Sequence, residues 1–161
     1  MPSAVRYHFT QRFPVPARRA YKWCTDFTPL DHGLMGEENA ERQVKPIAEG
    51  TVILTDVFHA NSHVEKQKLV QLYPDQLCWI STHLTGPHKY SQFIYEISEE
   101  SESASRLDFI GLHIEYDENL DKADFKLLAE KLHKEDSSAW RLLAKAMEKE
   151  LGMYRTSLKK V

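Results

Sequence analysis

Apolar residues fall in short strand-like runs through most of this chain, the first of them alternating strictly with polar ones, and near Asp117 the apolar spacing changes to three and four. Val5, Tyr7 and Phe9 alternate with Arg6, His8 and Thr10, which predicts a half-buried strand over Val5–Phe13. Pro14 and Pro16 end it, and Pro16 suits the first turn of a helix, where its missing N–H is not needed. Ala17–Asp26 then reads as a short helix with Ala20, Tyr21, Trp23 and Cys24 on its apolar side. Thr28-Pro29-Leu30-Asp31 reads as the start of a second one, kept short by Gly33 and Gly36.

Six further strands are expected. Ala40–Ile47 is charged, as an edge strand can be, and Glu49-Gly50 turns it into a stronger strand at Thr51–Ala60. Val64–Tyr73 is closed by Pro74-Asp75, and Gln76–Leu84 ends at Gly86-Pro87. Tyr90–Glu99 and Ser105–Tyr116 form the last pair. Between them the Ser- and Glu-rich stretch from Ser98 to Ser105 cannot pack a core, and its composition predicts a solvated, mobile loop.

Leu120–Leu151 carries no proline and no glycine. Phe125, Leu128 and Leu132, and then Trp140, Leu143, Ala144, Met147 and Leu151, make a helical stripe. Asp136 falls where that stripe would continue. Asp136-Ser137-Ser138 is rich in N-cap residues, so the helix either runs through or breaks there. Over thirty residues such a helix would reach ~45 Å. Strands without intervening helices favour an antiparallel sheet, and the long helix is the element large enough to cover it. The expected fold is α+β: a curved antiparallel sheet of about seven strands, two short helices after strand one and a long C-terminal helix, in a single domain over 1–161.

Composition adds limits. An apolar share of 42% and a charged share of 28% are ordinary for a globular domain, and a net charge of −3 argues against a nucleic-acid partner. The start of the chain has no apolar signal-peptide core, and no stretch approaches ~18 apolar residues. A cytoplasmic protein without integral membrane association is therefore expected, with Cys24 and Cys78 as reduced thiols.

The run Phe9-Thr10-Gln11-Arg12-Phe13-Pro14-Val15-Pro16-Ala17, continued by Ala20-Tyr21-Lys22-Trp23-Cys24-Thr25-Asp26, resembles the opening of the SRPBCC superfamily. This is the helix-grip group of START-related lipid-transfer domains, pollen-allergen-like proteins and polyketide cyclase/dehydrases. Glu49-Gly50 before a strand, Tyr73-Pro74-Asp75-Gln76-Leu77 between strands and the long Trp-containing helix extend the resemblance over nearly the whole chain. It implies a cavity between sheet and helix that receives a lipid, a polyketide or another apolar molecule. It brings no universal catalytic motif, so the catalytic residues stay unknown.

The residues themselves offer a few polar groups and many aromatic ones. Asp56 is in phase with Val52, Leu54 and Phe58, and if buried it would need a partner or a ligand. The opposite face, Ile53, Thr55, Val57 and His59, is also largely apolar, which favours an outward Asp56. Trp79 shares a face with Leu77, Ser81 and His83, an apolar and polar mixture typical of ligand cavities. The expected lining is Asp56, Phe58, His59, Trp79, His83, Tyr95, Trp140 and Met147.

Eight histidines raise the question of a metal. His59 and His63, four apart on a strand, would be ~13 Å apart, too far to share an ion. His8 and His113 could face each other if the first and last strands pair. No three or four ligands stand at a set spacing, so no metal and no cofactor are expected. No Gly-x-Ser-x-Gly, Gly-rich phosphate loop or activated cysteine occurs. These features favour a binder or carrier of a hydrophobic small molecule. A cyclase-like enzyme using Asp56, His59 or His83 for proton transfer is the alternative, and a protein-docking module is the second. Oligomeric state is open.

Overall fold

The structure, a computed structural model, describes residues 1–27, 40–59 and 64–159. Its elements in chain order are β1 (Ser3–Phe13), α1 (Ala17–Cys24), β2 (Ala40–Ala48), β3 (Thr51–Phe58), β4 (Val64–Tyr73), β5 (Cys78–His83), β6 (Gln92–Ser101), β7 (Ala104–Glu115) and α2 (Lys122–Lys159). The second short helix expected near Thr28–Asp31 falls outside the described residues.

The seven strands form one antiparallel sheet in the order β1-β7-β6-β5-β4-β3-β2. Six strands follow one another as hairpins. The first strand instead closes on the last, so it pairs with a segment about a hundred residues away, from Ser3↔Glu115 to Phe13↔Ser105. Alternation then decides which residues face inward. Along β7, Ser105, Leu107, Phe109, Gly111 and His113 point to the grip, and along β1 Val5, Tyr7, Phe9 and Phe13 do. Pro46 sits on β2, an edge strand, where a missing N–H donor is tolerated.

α2 packs along β1 and closes the concave face. The core gathers Phe13, Val15, Val70, Leu107, Phe109 and Met147, each under 3% exposed. α1 joins it through Ala17, Ala20 and Tyr21, and the Tyr21 hydroxyl donates to the Cys78 carbonyl at 3.1 Å.

One expectation is corrected. The segment from Ser98 to Ser105 is no open loop: β6 runs to Ser101, β7 starts at Ala104, and Glu102-Ser103 make the turn. Ala104 and Ser105 are buried, and the Ser105 hydroxyl donates to the Val15 carbonyl at 2.8 Å. Small polar residues fit there because the adjoining backbone offers an acceptor. Of the two alternatives left open at Asp136, α2 takes the unbroken one.

Candidate functional site

Among the described residues, two cavities lie inside the grip, and α2 walls both. The first, of about 130 Å³, is bounded by Trp79 on β5, Tyr95 on β6, Trp140 on α2 and Trp23 and Cys24 on α1. Trp79 and Tyr95 occupy opposed register positions on β5 and β6, and their rings stack with centroids 4.6 Å apart and planes 3° from parallel. Trp140 leans on both, at 6.4 and 5.6 Å. Arg42 and Lys68 bring charge to the same cavity.

That charge is organised by Asp56, which is fully buried and faces inward with Leu54. The outward reading of Asp56 is thereby corrected. β2 places Arg42 opposite Asp56, and the guanidinium grips the carboxylate with Nε at 2.6 Å from Oδ1 and Nη2 at 3.1 Å from Oδ2. Lys68 Nζ stands 3.7 Å from Oδ2. An Asp on an otherwise apolar face is tolerated because two cations come to it from the neighbouring strands. Burial lowers the Lys68 pKa, and Asp56 opposes that shift.

The second cavity, of about 240 Å³, holds proton-carrying groups: Tyr7, His83, His113 and Asp136, with Phe93 and Lys68 beside them. Asp136 is on the inner stripe of α2, one turn from Leu132 and from Trp140, and it accepts a hydrogen bond from the Tyr7 hydroxyl. Burial raises the Asp136 pKa, against the lowering by that bond. Burial, then the charge of Lys68, pushes His83 down to about 4, so its imidazole is neutral at pH 7. Tyr7 can lie flat over β7 because its partner there is Gly111. A Cβ on Gly111 would come within 2.4 Å of the Tyr7 ring.

Of the expected lining, Trp79, Tyr95 and Trp140 border the first cavity, His83 borders the second, and Asp56 anchors the two cations between them. Phe58, His59 and Met147 border neither. Phe58 ends β3, with the Lys66 ammonium 5.2 Å over its ring, and His59 lies just beyond it, exposed beside Glu41. Met147 is wholly buried in the core cluster, leaving no space beside it. His8 and His113 do not face each other: His8 sits opposite Ile110 and points outward, while His113 sits opposite Val5 and points inward. The reading of the sequence missed Arg42, Lys68, Tyr7 and His88. For Asp136 the signal was present, since it sits on the apolar stripe.

No family model matches the chain, and no curated protein does. Solved structures do. The ZhuI aromatase/cyclase from Streptomyces sp. R1128 superposes with a TM-score of 0.72 at 12% identity, over 92% of this chain and 96% of that one. Norcoclaurine synthase from Thalictrum flavum, solved with dopamine and hydroxybenzaldehyde, gives 0.66 at 12% identity, over 93% and 87%. Ara h 8.0201 gives 0.63 at 10% identity, over 90% and 98%. At such identities the likeness speaks for architecture alone, and it agrees with the strand order, the hairpins and the covering helix: the chain has a helix-grip fold, a curved antiparallel sheet closed by a long C-terminal helix, as these three structures do.

Proposed function

We propose that this protein binds a hydrophobic small molecule bearing an oxygen function, with an aromatic ring held against the stacked Trp79–Tyr95 pair and the oxygen directed at Lys68 and Arg42. The observation that carries this is the joining of an aromatic wall to two cations, Arg42 and the half-buried Lys68, in one cavity. An apolar lining with a few placed polar groups is what small-molecule sites use. A space of about 130 Å³ suits a single ring, since an apolar cavity of ~150 Å³ accommodates benzene. A longer ligand, of polyketide or lipid type, would extend past Lys68 toward the second cavity. Cavities within the grip support this reading over a docking module.

The test is displacement of an environment-sensitive fluorophore by a panel of phenols, aromatic ketones and fatty acids. Aromatic oxygenated compounds should displace it saturably, and Trp140→Ala should stay folded and change affinity several-fold. Cys24 borders the cavity, so a bound ligand should slow its reaction with a thiol reagent. Saturable binding by none of the panel would overturn the proposal.

A second reading rests on Tyr7, His83 and Asp136 meeting in one cavity. A neutral imidazole and a carboxyl–phenol pair can take and return a proton, as an enolising or cyclising enzyme requires. Deuterium uptake at the α-carbon of an aromatic ketone, followed by NMR, should then be catalysed by the wild type and lost in His83→Gln. Equal rates with and without protein would remove this reading.

A further inference from the structure

From the arrangement of His88, His113 and Glu115 at the rim of the second cavity, we infer a binding site for a divalent first-row transition ion such as Zn²⁺. One donor atom from each residue lies within 4.8 Å of the other two. His113 and Glu115 come from the inner face at the end of β7, and His88 comes from the connection between β5 and β6. His113 Nε2 is 3.1 Å from Glu115 Oε2, and His88 Nδ1 is 3.8 Å from the same oxygen. The two imidazole centroids are 4.4 Å apart.

Hydrogen bonding alone accounts for half of this. The His113–Glu115 contact is a good hydrogen bond, but 3.8 Å is beyond an N–H···O bond, so no hydrogen bond draws His88 onto Glu115; its Nδ1 reaches the Ile114 carbonyl at 3.3 Å instead. An ion at the centre of the three explains why all converge. Two imidazoles and a carboxylate are a donor set that zinc accepts at ~2.0–2.2 Å per ligand, and small side-chain rotations would close the present separations.

The carboxylate is also held as a metal ligand's would be. Glu115 Oε1 accepts from the backbone N–H groups of Tyr116 and Asp117, each at 3.1 Å, which leaves Oε2 turned toward the histidines. His88 is positioned by Ser91, whose hydroxyl donates to the His88 carbonyl at 2.7 Å and accepts from the Ile114 N–H at 2.9 Å. The Ile114 carbonyl also gives the His88 ring an acceptor that holds it beside Glu115. Outer partners of this kind orient metal ligands. Three protein ligands leave a further position, and His88 and His113 line the cavity that Tyr7, Phe93 and Asp136 share, so an oxygen donor of a small molecule there could complete the coordination. The ion site stands on its own donors and does not depend on what the cavity binds.

Tag-free full-length chain, stripped with a chelator and dialysed, should take up about one Zn²⁺ per chain in calorimetric titration. Zn²⁺ should move the imidazole resonances of His88 and His113 in the wild type, and leave those of His8 in place. His88→Ala and Glu115→Gln should each weaken binding at least about tenfold, and His8→Ala should leave it unchanged, with circular dichroism confirming that each variant is folded. Absence of stoichiometric binding would overturn the site. So would Zn²⁺ shifts that spare both His88 and His113, or undiminished affinity in folded His88→Ala and Glu115→Gln.

Discussion

At the scale of single residues, two placements depend on what the neighbouring strand supplies. Asp56 is buried without exposure only because Arg42 and Lys68 reach it from either side. Asp56→Ala removes the anion and leaves two cations in a low-dielectric space. It should cost about 3–5 kcal/mol in urea denaturation. A loss below about 1 kcal/mol would mean that water reaches the cations freely. Tyr7 depends on Gly111 in the same way. Gly111→Ala forces the ring away from β7 and from Asp136, and should cost about 1–3 kcal/mol, as overpacking does. In a Tyr7→Ala background the same change should be nearly free, because the obstructed ring is gone. A double-mutant cycle with no coupling between the two positions would contradict this contact.

At the scale of elements, composition misled most where the chain is polar but paired. The Ser- and Glu-rich segment between β6 and β7 has the composition of a mobile loop, yet it is a two-residue turn whose flanks are laddered, with Ser105 wholly buried. Backbone pairing across the hairpin is a property of two strands, and neither strand's own composition announces it. The connection from Asp117 to Asp121 has no ladder on either side and is mostly exposed. Limited proteolysis should therefore cut within 117–121 before it cuts within 98–105. The reverse order would show that the hairpin opens readily. α2 illustrates the opposite case. Asp136-Ser137-Ser138 has the residues of an N-cap, but the helix continues because the side chain of Asp136 has a better partner in Tyr7 across the grip.

At the scale of the whole molecule, burial inside the grip sets a pH dependence. His83 has its pKa lowered from 6.5 to about 4 in the folded chain, first by burial and then by Lys68. The unfolded chain therefore binds this proton at a higher pH than the folded one. The stability that the neutral imidazole confers is complete above about pH 6.5 and is lost as pH falls toward 4, by at most about 3 kcal/mol. Urea midpoints measured with chelator present should fall over that window in the wild type and fall less in His83→Gln. Equal slopes for the two would assign the acid sensitivity to other groups.

Much of the architecture was legible in the residues. Alternation in the first strand, and strand-like runs bounded by turn residues such as Glu49-Gly50, Pro74-Asp75 and Gly86-Pro87, located the seven strands, and the stripe from Leu132 through Trp140 to Leu151 located the covering helix, because these signals follow from backbone geometry that acts locally. Which face of β3 turns inward was not legible. Both of its faces are apolar, and only the pairing of Arg42 with Asp56 and the approach of Lys68 decide it. The three donors at the cavity rim were equally hidden: His113 and Glu115 are neighbours on β7, but His88 joins them from a connection some twenty-five residues earlier. The sequence by itself determined the order and kind of elements, since these depend on spacing along the chain. The tertiary structure alone decided the buried charges, the Tyr7–Asp136 contact and the convergence of histidines, since each depends on strands and a helix that meet only after the sheet has closed.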